Sequence, residues 1–152
     1  MGRIIAIANQ KGGVGKTTTA VNLSSALAQK KKRVLVIDAD PQGNTTSGLG
    51  LDKNDVENTV YDVLVNEVSI KDAMYNLAYF DMKMVPSNIN LTGAEIELVG
   101  ENGREYKIKN ALKEVQADFD FIIIDCPPSL GIVTLNVLSA ADSVLIPVQC
   151  EY

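Results

Sequence analysis

Residues 11–18 read Lys11-Gly12-Gly13-Val14-Gly15-Lys16-Thr17-Thr18, between a short apolar run and a stretch with helical spacing. Glycine lets the backbone approach a ligand closely and adopt positive φ angles. Successive backbone N–H groups in such a loop point inward as an anion-binding nest, at the positive end of a helix dipole. The segment therefore predicts a phosphate-binding loop that joins a strand to a helix.

The polar residues of this loop fit that interpretation. Lys16 can reach the β- and γ-phosphates of a nucleotide, and the Thr17 hydroxyl is placed for a Mg²⁺ ion. The plain consensus asks for glycine at position 10, where this sequence has Gln10, and the additional lysine Lys11 follows it. The residues that we expect to contact a bound nucleotide are Lys11, Gly12, Gly13, Val14, Gly15, Lys16, Thr17 and Thr18.

This loop fits two other interpretations less well. It could be a plain glycine turn, but folding alone requires neither Lys16 nor Thr17. It could also bind a dinucleotide, because Gly13 and Gly15 begin a G-x-G-x-x pattern and Asp38 follows where a ribose-binding acid would lie. The third glycine of that pattern is missing, so phosphate binding in the P-loop manner is favoured.

The flanking patterns predict a mostly parallel sheet with helices on both faces. Apolar, β-branched runs indicate strands, and apolar residues at a spacing of three to four indicate helices. Alternating strands and helices favour right-handed crossovers in a three-layer α/β fold of the P-loop NTPase class. Strands are predicted over residues 3–8, 34–38, 81–86, 119–125 and 143–148. Helices are predicted over residues 16–29, 59–65, 70–75, 91–99, 106–115 and 132–138, with Ser69 and Asp72 as a capping box, and residues 41–48 as a loop.

Three acids are predicted at the same edge of this sheet as the glycine loop. Asp38 and Asp40 follow the second strand, and Asp125 ends the strand that includes residues 121–124. The carboxyl ends of parallel strands meet at one edge, where ligands bind in folds of this kind. Carboxylates there can hold the water shell of a magnesium ion or orient an attacking water.

Composition excludes several other classes of protein. The 152 residues are 46% hydrophobic and 22% charged, which is typical of a globular domain. Histidine is absent, so histidine-based triads and histidine-ligated zinc are excluded. The formal charge of −5 argues weakly against a nucleic-acid-binding surface over the whole domain. Cys126 and Cys150 lie inside apolar runs of the sequence and are expected to be buried, reduced thiols.

Three segments together resemble the ParA/Soj family of chromosome and plasmid partitioning ATPases. They are the loop at residues 11–18, the run Asp38-Ala39-Asp40-Pro41-Gln42-Gly43-Asn44, and residues 122–128, which read Ile-Ile-Ile-Asp-Cys-Pro-Pro. The loop with its extra lysine is similar to that of the wider superfamily that includes MinD and the nitrogenase iron protein. The Asp40–Asn44 run narrows the resemblance to the ParA/Soj branch.

The resemblance implies roles for individual residues. Lys11 matches the signature lysine that reaches the partner's ATP across a nucleotide-sandwich dimer. Lys16 and Thr17 match the phosphate-binding lysine and the magnesium-coordinating hydroxyl. Asp40 matches the acid that positions the hydrolytic water. The expected catalytic residues are Lys11, Lys16 and Asp40, and the expected metal ligands are Thr17, Asp38 and Asp125.

The resemblance also implies partners and a cycle. We expect a cytoplasmic, nucleoid-associated ATPase that uses ATP and Mg²⁺, dimerises with ATP, binds DNA without sequence preference, and is stimulated by a ParB-type centromere-binding protein. No membrane association is expected. Residues 1–152 are expected to be the N-terminal portion of the P-loop ATPase domain, with the C-terminal part and its main DNA-binding surface outside this sequence.

Other members of this superfamily have other functions, and these functions are the alternative hypotheses for this sequence. A MinD-like membrane-associated positioning ATPase is disfavoured by residues 41–44. A redox protein like the nitrogenase iron protein would need a second suitable cysteine near Cys126. For a small-molecule ligase, no residue suggests a substrate pocket.

Overall fold

The computed structural model describes residues 2–9, 15–78 and 81–148, and within them it has a six-stranded sheet with the strand order β3-β4-β2-β5-β1-β6. All neighbouring strands are parallel except β3 and β4, which are antiparallel. The strands are β1 (Arg3–Ile7), β2 (Val34–Asp38), β3 (Tyr75–Asn76), β4 (Met82–Val85), β5 (Phe121–Asp125) and β6 (Ser143–Leu145).

Six α-helices and several single turns of 3-10 helix connect the strands in the described part of the chain. The helices are α1 (Lys16–Gln29), α2 (Asn44–Gly48), α3 (Val60–Val65), α4 (Ala94–Glu97), α5 (Lys107–Leu112) and α6 (Ile132–Ala140). None of these helices is both long and apolar enough to cross a lipid bilayer.

Helices cover both faces of the sheet, which confirms the predicted three-layer architecture. Strand β2 shows the arrangement directly, because its side chains alternate between two separate apolar clusters. Leu35 and Ile37 pack in the cluster that contains residues of α3, α5 and α6, whereas Val34 and Val36 pack in the cluster that contains Ala20 of α1. A strand buried on both faces is apolar at every position, and this explains the continuous run over residues 34–37.

Side chains fix the ends of two helices on the α3, α5 and α6 face. Thr59 caps α3 in a capping box with Asp62, which satisfies backbone N–H groups of the first turn. Asn136 of α6 is buried and accepts a 3.1 Å hydrogen bond from the backbone N–H of Ile108 in α5. It also donates a 2.7 Å bond to the backbone oxygen of Arg104. These bonds hold α5 against α6.

The predicted elements agree with the structure to within two residues at each end, except in five segments. Strand β6 ends at Leu145, not at residue 148, and α5 ends at Leu112, not at residue 115, because turns follow it. Residues 41–48 were predicted as a loop, but Asn44–Gly48 form α2, because buried carboxylates bind its threonines. The predicted helix at residues 70–75 is a 3-10 turn over Ile70–Ala73, and Ser69 caps it by accepting from the N–H of Lys71, not of Asp72. Tyr75 instead begins β3, since its backbone pairs with Met84. The predicted helix at 91–99 is divided between a 3-10 segment, Ile89–Gly93, and α4.

Candidate functional site

The candidate site lies at the carboxyl ends of three adjacent central strands. Strands β2, β5 and β1 are neighbours in that order, and Asp38 of β2 pairs in register with Asp125 of β5. Asp125 in turn pairs with Ile7 of β1. The loop that leads into α1 leaves from this same edge, because β1 ends there. Parallel pairing therefore brings the two strand-end acids and the start of α1 together, as the sequence predicted.

Lys16, in the first turn of α1, lies between two of the acids. Its Nζ donates a 2.7 Å hydrogen bond to Asp125 Oδ1 and a 3.1 Å bond to Asp40 Oδ2. The side chain is only 1% exposed. Burial alone would lower the pKa of Lys16, but the charges and hydrogen bonds of Asp125 and Asp40 outweigh it, and the net effect raises the pKa. Lys16 is thus a buried cation at the edge of the sheet.

Asp125 is fully buried and uses both of its oxygens. Oδ1 accepts from Lys16, and Oδ2 accepts a 2.6 Å hydrogen bond from the hydroxyl of Thr45 in α2. Burial raises the pKa of Asp125, and the Lys16 charge and the hydrogen bonds from Lys16 and Thr45 counteract part of that rise. One cation and one hydroxyl therefore hold this carboxylate in a single orientation.

Asp38 contacts the segment that follows it in sequence. Its Oδ1 accepts from the backbone N–H of Asp40 at 3.0 Å, and its Oδ2 accepts from the N–H and the hydroxyl of Thr46 at 2.8 and 2.7 Å. Burial, together with the nearby charge of Asp125, raises the pKa of Asp38 to about 6. Asp38 therefore anchors the segment that bears Asp40.

Asp40 is buried, and its two oxygens have different partners. Oδ1 accepts a 3.0 Å bond from the backbone N–H of Gln42, which closes a tight turn, and Oδ2 accepts from Lys16. Gly43 then adopts φ +66°, and a Cβ atom there would lie 3.1 Å from the backbone oxygen of Ser87. Glycine is needed at this position for both its backbone angle and its small size.

The glycine loop itself is described only from Gly15 onward. Gly15 precedes α1 with φ +74°, and its carbonyl accepts the first helical bond from the N–H of Thr19 at 2.8 Å. Thr17 is half-buried and Thr18 is exposed. The predicted contacts Lys11, Gly12, Gly13 and Val14 lie outside the described residues, so their roles stay predictions.

Sequence reasoning missed three hydroxyl residues of the site: Thr45, Thr46 and Ser87. Thr46 Oγ1 accepts a 3.0 Å bond from the backbone N–H of Ser87, the second residue after β4. The Ser87 hydroxyl is buried, and it has no hydrogen-bond partner in the part of the chain that the structure describes. For Thr45 and Thr46, the only sequence signal was their occurrence as a pair shortly after Asp40, in a segment whose composition is typical of a loop.

The donors at this edge suit a magnesium ion that is bound together with phosphates. Across residues 2–9, 15–78 and 81–148, no group of three or more Cys, Asp or Glu side chains is arranged to hold a metal by itself. Mg²⁺ is usually held by one or two carboxylates with substrate phosphates and waters. Asp125 at the strand end and the hydroxyl of Thr17 in α1 match that smaller donor set.

Over nearly all of its length, the chain is similar to a known protein family and to individual proteins. A family model described as an AAA domain matches residues 2–152. The sporulation initiation inhibitor protein Soj of Bacillus subtilis is 58% identical over 152 residues, which are 100% of this chain and 60% of that protein. The chromosome partitioning protein ParA of Myxococcus xanthus is 53% identical, over 100% of this chain and 54% of its own length. The chain thus spans between about half and two thirds of these relatives.

Solved structures show the same fold. The cobyrinic acid a,c-diamide synthase of Mycobacterium smegmatis, with bound ATP analog and magnesium, has a TM-score of 0.95 and 47% identity. The similarity covers 100% of this chain and 62% of that one. A plasmid partition protein from Borrelia burgdorferi has a TM-score of 0.87 and 31% identity, over 99% of this chain and 67% of its own.

Proposed function

The chain belongs to the AAA-domain family that includes the Soj and ParA chromosome partitioning proteins, and we propose that it is part of an ATPase that segregates DNA. The observation that carries the ATPase part of this proposal is the position of Lys16, a buried cation held by Asp125 and Asp40 at the start of α1. The DNA-segregating part rests on the similarity to Soj and ParA. A lysine at this position is suited to the phosphates of a nucleotide, and strand-end acids beside it are suited to phosphoryl transfer.

ATP and Mg²⁺ are the proposed ligands. The neighbour from Mycobacterium smegmatis, 47% identical, holds an ATP analog and magnesium. In this chain, Thr17 and Asp125 would hold the ion, with Asp38 in its outer shell. Bound magnesium neutralises charge that develops on the phosphates. The phosphates themselves would be cradled by the backbone of the loop at residues 11–18.

The chain's own residues have distinct proposed roles in hydrolysis. Lys16 leaves its two carboxylate partners and binds the phosphates, which compensates their charge as bound ATP fills the site. Asp40 then loses the Lys16 contact at Oδ2 while the Gln42 N–H still holds Oδ1. Oδ2 is therefore the oxygen that would accept a hydrogen bond from the attacking water.

Dimerisation, DNA binding and a ParB-type partner are proposed for the whole protein. Their support is the similarity to Soj and ParA, which are 58% and 53% identical to this chain. Lys11 is proposed to reach the ATP of a second protomer, where its charge would offset the repulsion between two facing triphosphates. We propose that the protein works in the cytoplasm on the nucleoid.

Two measurements on the full-length protein test this function. ATP turnover should rise when DNA and the ParB-type protein are added together, and light scattering should show an ATP-dependent dimer. Lys11→Ala should bind ATP as a monomer but fail to dimerise and fail to respond to the partner. ATP turnover that ignores DNA and the partner, or a Lys11→Ala variant that dimerises normally, would contradict the proposal.

A ligase is the second candidate, because the solved structure with a TM-score of 0.95 is a diamide synthase. We place it second because the relatives with higher identity are partitioning proteins. Incubation with ATP, an amide-nitrogen donor and a cobyrinic acid substrate decides the matter. Formation of an amide product coupled to ATP consumption would favour the ligase.

A further inference from the structure

Thr45 links the segment that presents Asp40 to the acid at the end of β5. We propose that Thr45 is a positioning residue for ATP hydrolysis: its hydroxyl fixes the rotation of the Asp125 carboxylate, so that Oδ1 faces Lys16 and the nucleotide site. This inference rests on the proposed function. It concerns a residue that the motifs of the sequence left unassigned.

The two oxygens of Asp125 accept hydrogen bonds from different residues. Thr45 Oγ1 donates to Oδ2 at 2.6 Å, and Lys16 Nζ donates to Oδ1 at 2.7 Å. Thr45 and Asp125 are both completely buried, so water does not compete for the hydroxyl bond. A hydroxyl has a single O–H donor, and that of Thr45 is committed to the carboxylate. Hydrogen bonds to an ionised group are shorter and stronger than those between neutral groups.

The bond from Thr45 to Asp125 is supported by other hydrogen bonds that hold α2 in place. Thr46 donates its N–H and its hydroxyl to Asp38 Oδ2, and it accepts from the N–H of Ser87. These bonds tie α2 to the ends of β2 and β4, while Thr45 reaches β5. Neighbouring threonines therefore bind the two acids that pair in register, Asp38 and Asp125.

This geometry has a consequence when Lys16 moves to the phosphates. Asp125 then loses its partner at Oδ1, and a buried carboxylate with one free oxygen could rotate toward other donors. The Thr45 hydroxyl keeps Oδ2 in place, so Oδ1 stays directed at the site. Because Thr45 is only five residues from Asp40, a displacement of this segment would disturb both acids at once.

Three substitutions of Thr45 in the full-length protein separate the hydroxyl from the packing. Thr45→Val keeps the shape and removes the hydroxyl, Thr45→Ser keeps the hydroxyl, and Thr45→Ala removes both. Thr92→Val is the matched control, since Thr92 is exposed and its hydroxyl bonds only a nearby backbone oxygen at 2.8 Å. Each variant is assayed for ATP turnover and for affinity to a fluorescent non-hydrolysable ATP analog over a range of magnesium concentrations.

We expect Thr45→Val to lower kcat about tenfold while KM for ATP stays within about twofold. The reason is that the substitution removes the hydrogen bond that orients the charged carboxylate of Asp125. The magnesium concentration for half-maximal affinity to the analog should rise about fivefold or more. Thr45→Ser should be close to the parental protein in both measurements, and Thr92→Val should match it. If Thr45→Val folds poorly, the test is the comparison of Thr45→Ser with Thr45→Ala. Thr45→Ser should then have the higher kcat and need the lower magnesium concentration.

Opposite results would overturn the inference. These are a Thr45→Val variant with parental kcat and magnesium dependence, or a Thr45→Ser variant as impaired as Thr45→Ala, since that pattern indicates packing alone. A parental protein that binds the analog but does not hydrolyse ATP would contradict the proposed function. In that case the magnesium dependence of analog binding would still show whether the Thr45 hydroxyl orients the Asp125 carboxylate toward the site. Absence of nucleotide binding by the parental protein would overturn both.

Discussion

Lys16 Nζ lies 2.7 Å from Asp125 Oδ1, a buried ion pair between residues that are 109 positions apart in the sequence. The pair joins the start of α1 to the end of β5. Lys16 also contacts Asp40, so the cation has two carboxylate partners. The proposed role of Lys16 therefore requires that ATP phosphates replace these two carboxylates as its partners.

Lys16→Met should weaken ATP binding and also destabilise the nucleotide-free protein. Methionine keeps most of the side-chain volume but leaves Asp125 and Asp40 buried without their cation, which costs about 3 kcal/mol of unfolding free energy. Calorimetric titration with ATP and urea unfolding measure the two effects. Lys32→Met, at an exposed position, is the control and should change neither. Parental ATP affinity in Lys16→Met would refute the role of the lysine.

Asp40→Ala should separate nucleotide binding from hydrolysis. If Asp40 orients the attacking water, the variant should retain Mg-ATP and lose about 100-fold or more in turnover. The measurements are phosphate release and sedimentation with ATP, where the variant should accumulate as a dimer. Asp52→Ala is a matched control, because the carboxylate of Asp52 makes the same kind of turn bond, to the N–H of Asn54 at 2.9 Å, but is exposed. Turnover by Asp40→Ala at the parental rate would contradict the assignment.

The carboxylate of Glu95 caps α6, and its removal should destabilise that helix. Glu95 Oε2 accepts from the N–H of Ile132 at 2.7 Å, and Oε1 accepts from that of Val133 at 3.4 Å. Glu95→Ala should lower the unfolding free energy by about 1–2 kcal/mol, as the loss of a helix cap does.

Gly131→Ala tests the same helix cap by a change in the backbone position that faces the Glu95 carboxylate. A Cβ atom on Gly131 would contact the Glu95 carboxylate, so the substitution should displace the cap. The two substitutions should then be less than additive when combined, because each removes the same interaction. Chemical unfolding of both single variants and the double variant gives the coupling. Strict additivity would show that Glu95 does not cap α6 in solution.

The ionisation of Asp38 should lower the stability of the nucleotide- and magnesium-free protein as pH rises. The pKa of Asp38 is about 6 in the folded chain, against an ordinary value of 3.8. The folded state therefore binds the proton more tightly than the unfolded state, and this stabilisation is complete below pH 3.8 and lost as pH rises through about 6. The loss attributable to this residue is about 3 kcal/mol. The difference between the parental and Asp38→Asn unfolding curves across that range isolates it, and a difference that does not vary with pH would contradict the prediction.

Cys126 should be inert to alkylation in the native protein. Burial, with a smaller effect of the Asp125 charge, raises the pKa of its thiol to about 12. Because the thiolate is the reactive form, only about one molecule in ten thousand would be reactive near pH 8, and burial restricts access further. Mass spectrometry after iodoacetamide treatment should find Cys126 modified only in the unfolded chain. Rapid modification of this residue in the folded chain would show that the thiol is accessible.

The apolar pattern of the sequence was enough to predict the parallel strands of the sheet and the edge at which the candidate site lies. The apolar runs of β1, β2 and β5 are continuous because these strands are buried on both faces, so pattern alone identified them. Asp38, Asp40 and Asp125 were predicted at one edge because parallel strands end together there. The structure confirms this, since Lys16 contacts Asp40 and Asp125, and Asp38 pairs in register with Asp125. The roles of Lys11, Gly12, Gly13 and Val14 stay predictions.

Helix α2 and the hydrogen-bond partners of each carboxylate could be seen only in the folded chain. Residues 44–48 have a sequence typical of a loop, and they are helical because Thr45 and Thr46 bind acids on β5 and β2. Strand β3 has only two residues and exists because β4 pairs with it. The bonds from Thr46 to Asp38 and from Thr45 to Asp125 join residues 8 and 80 positions apart. Neither bond follows the period of a helix or a strand, since both depend on which segments the fold brings together. For this reason the sequence located the acids of the site, and only the folded chain showed that threonines hold two of them.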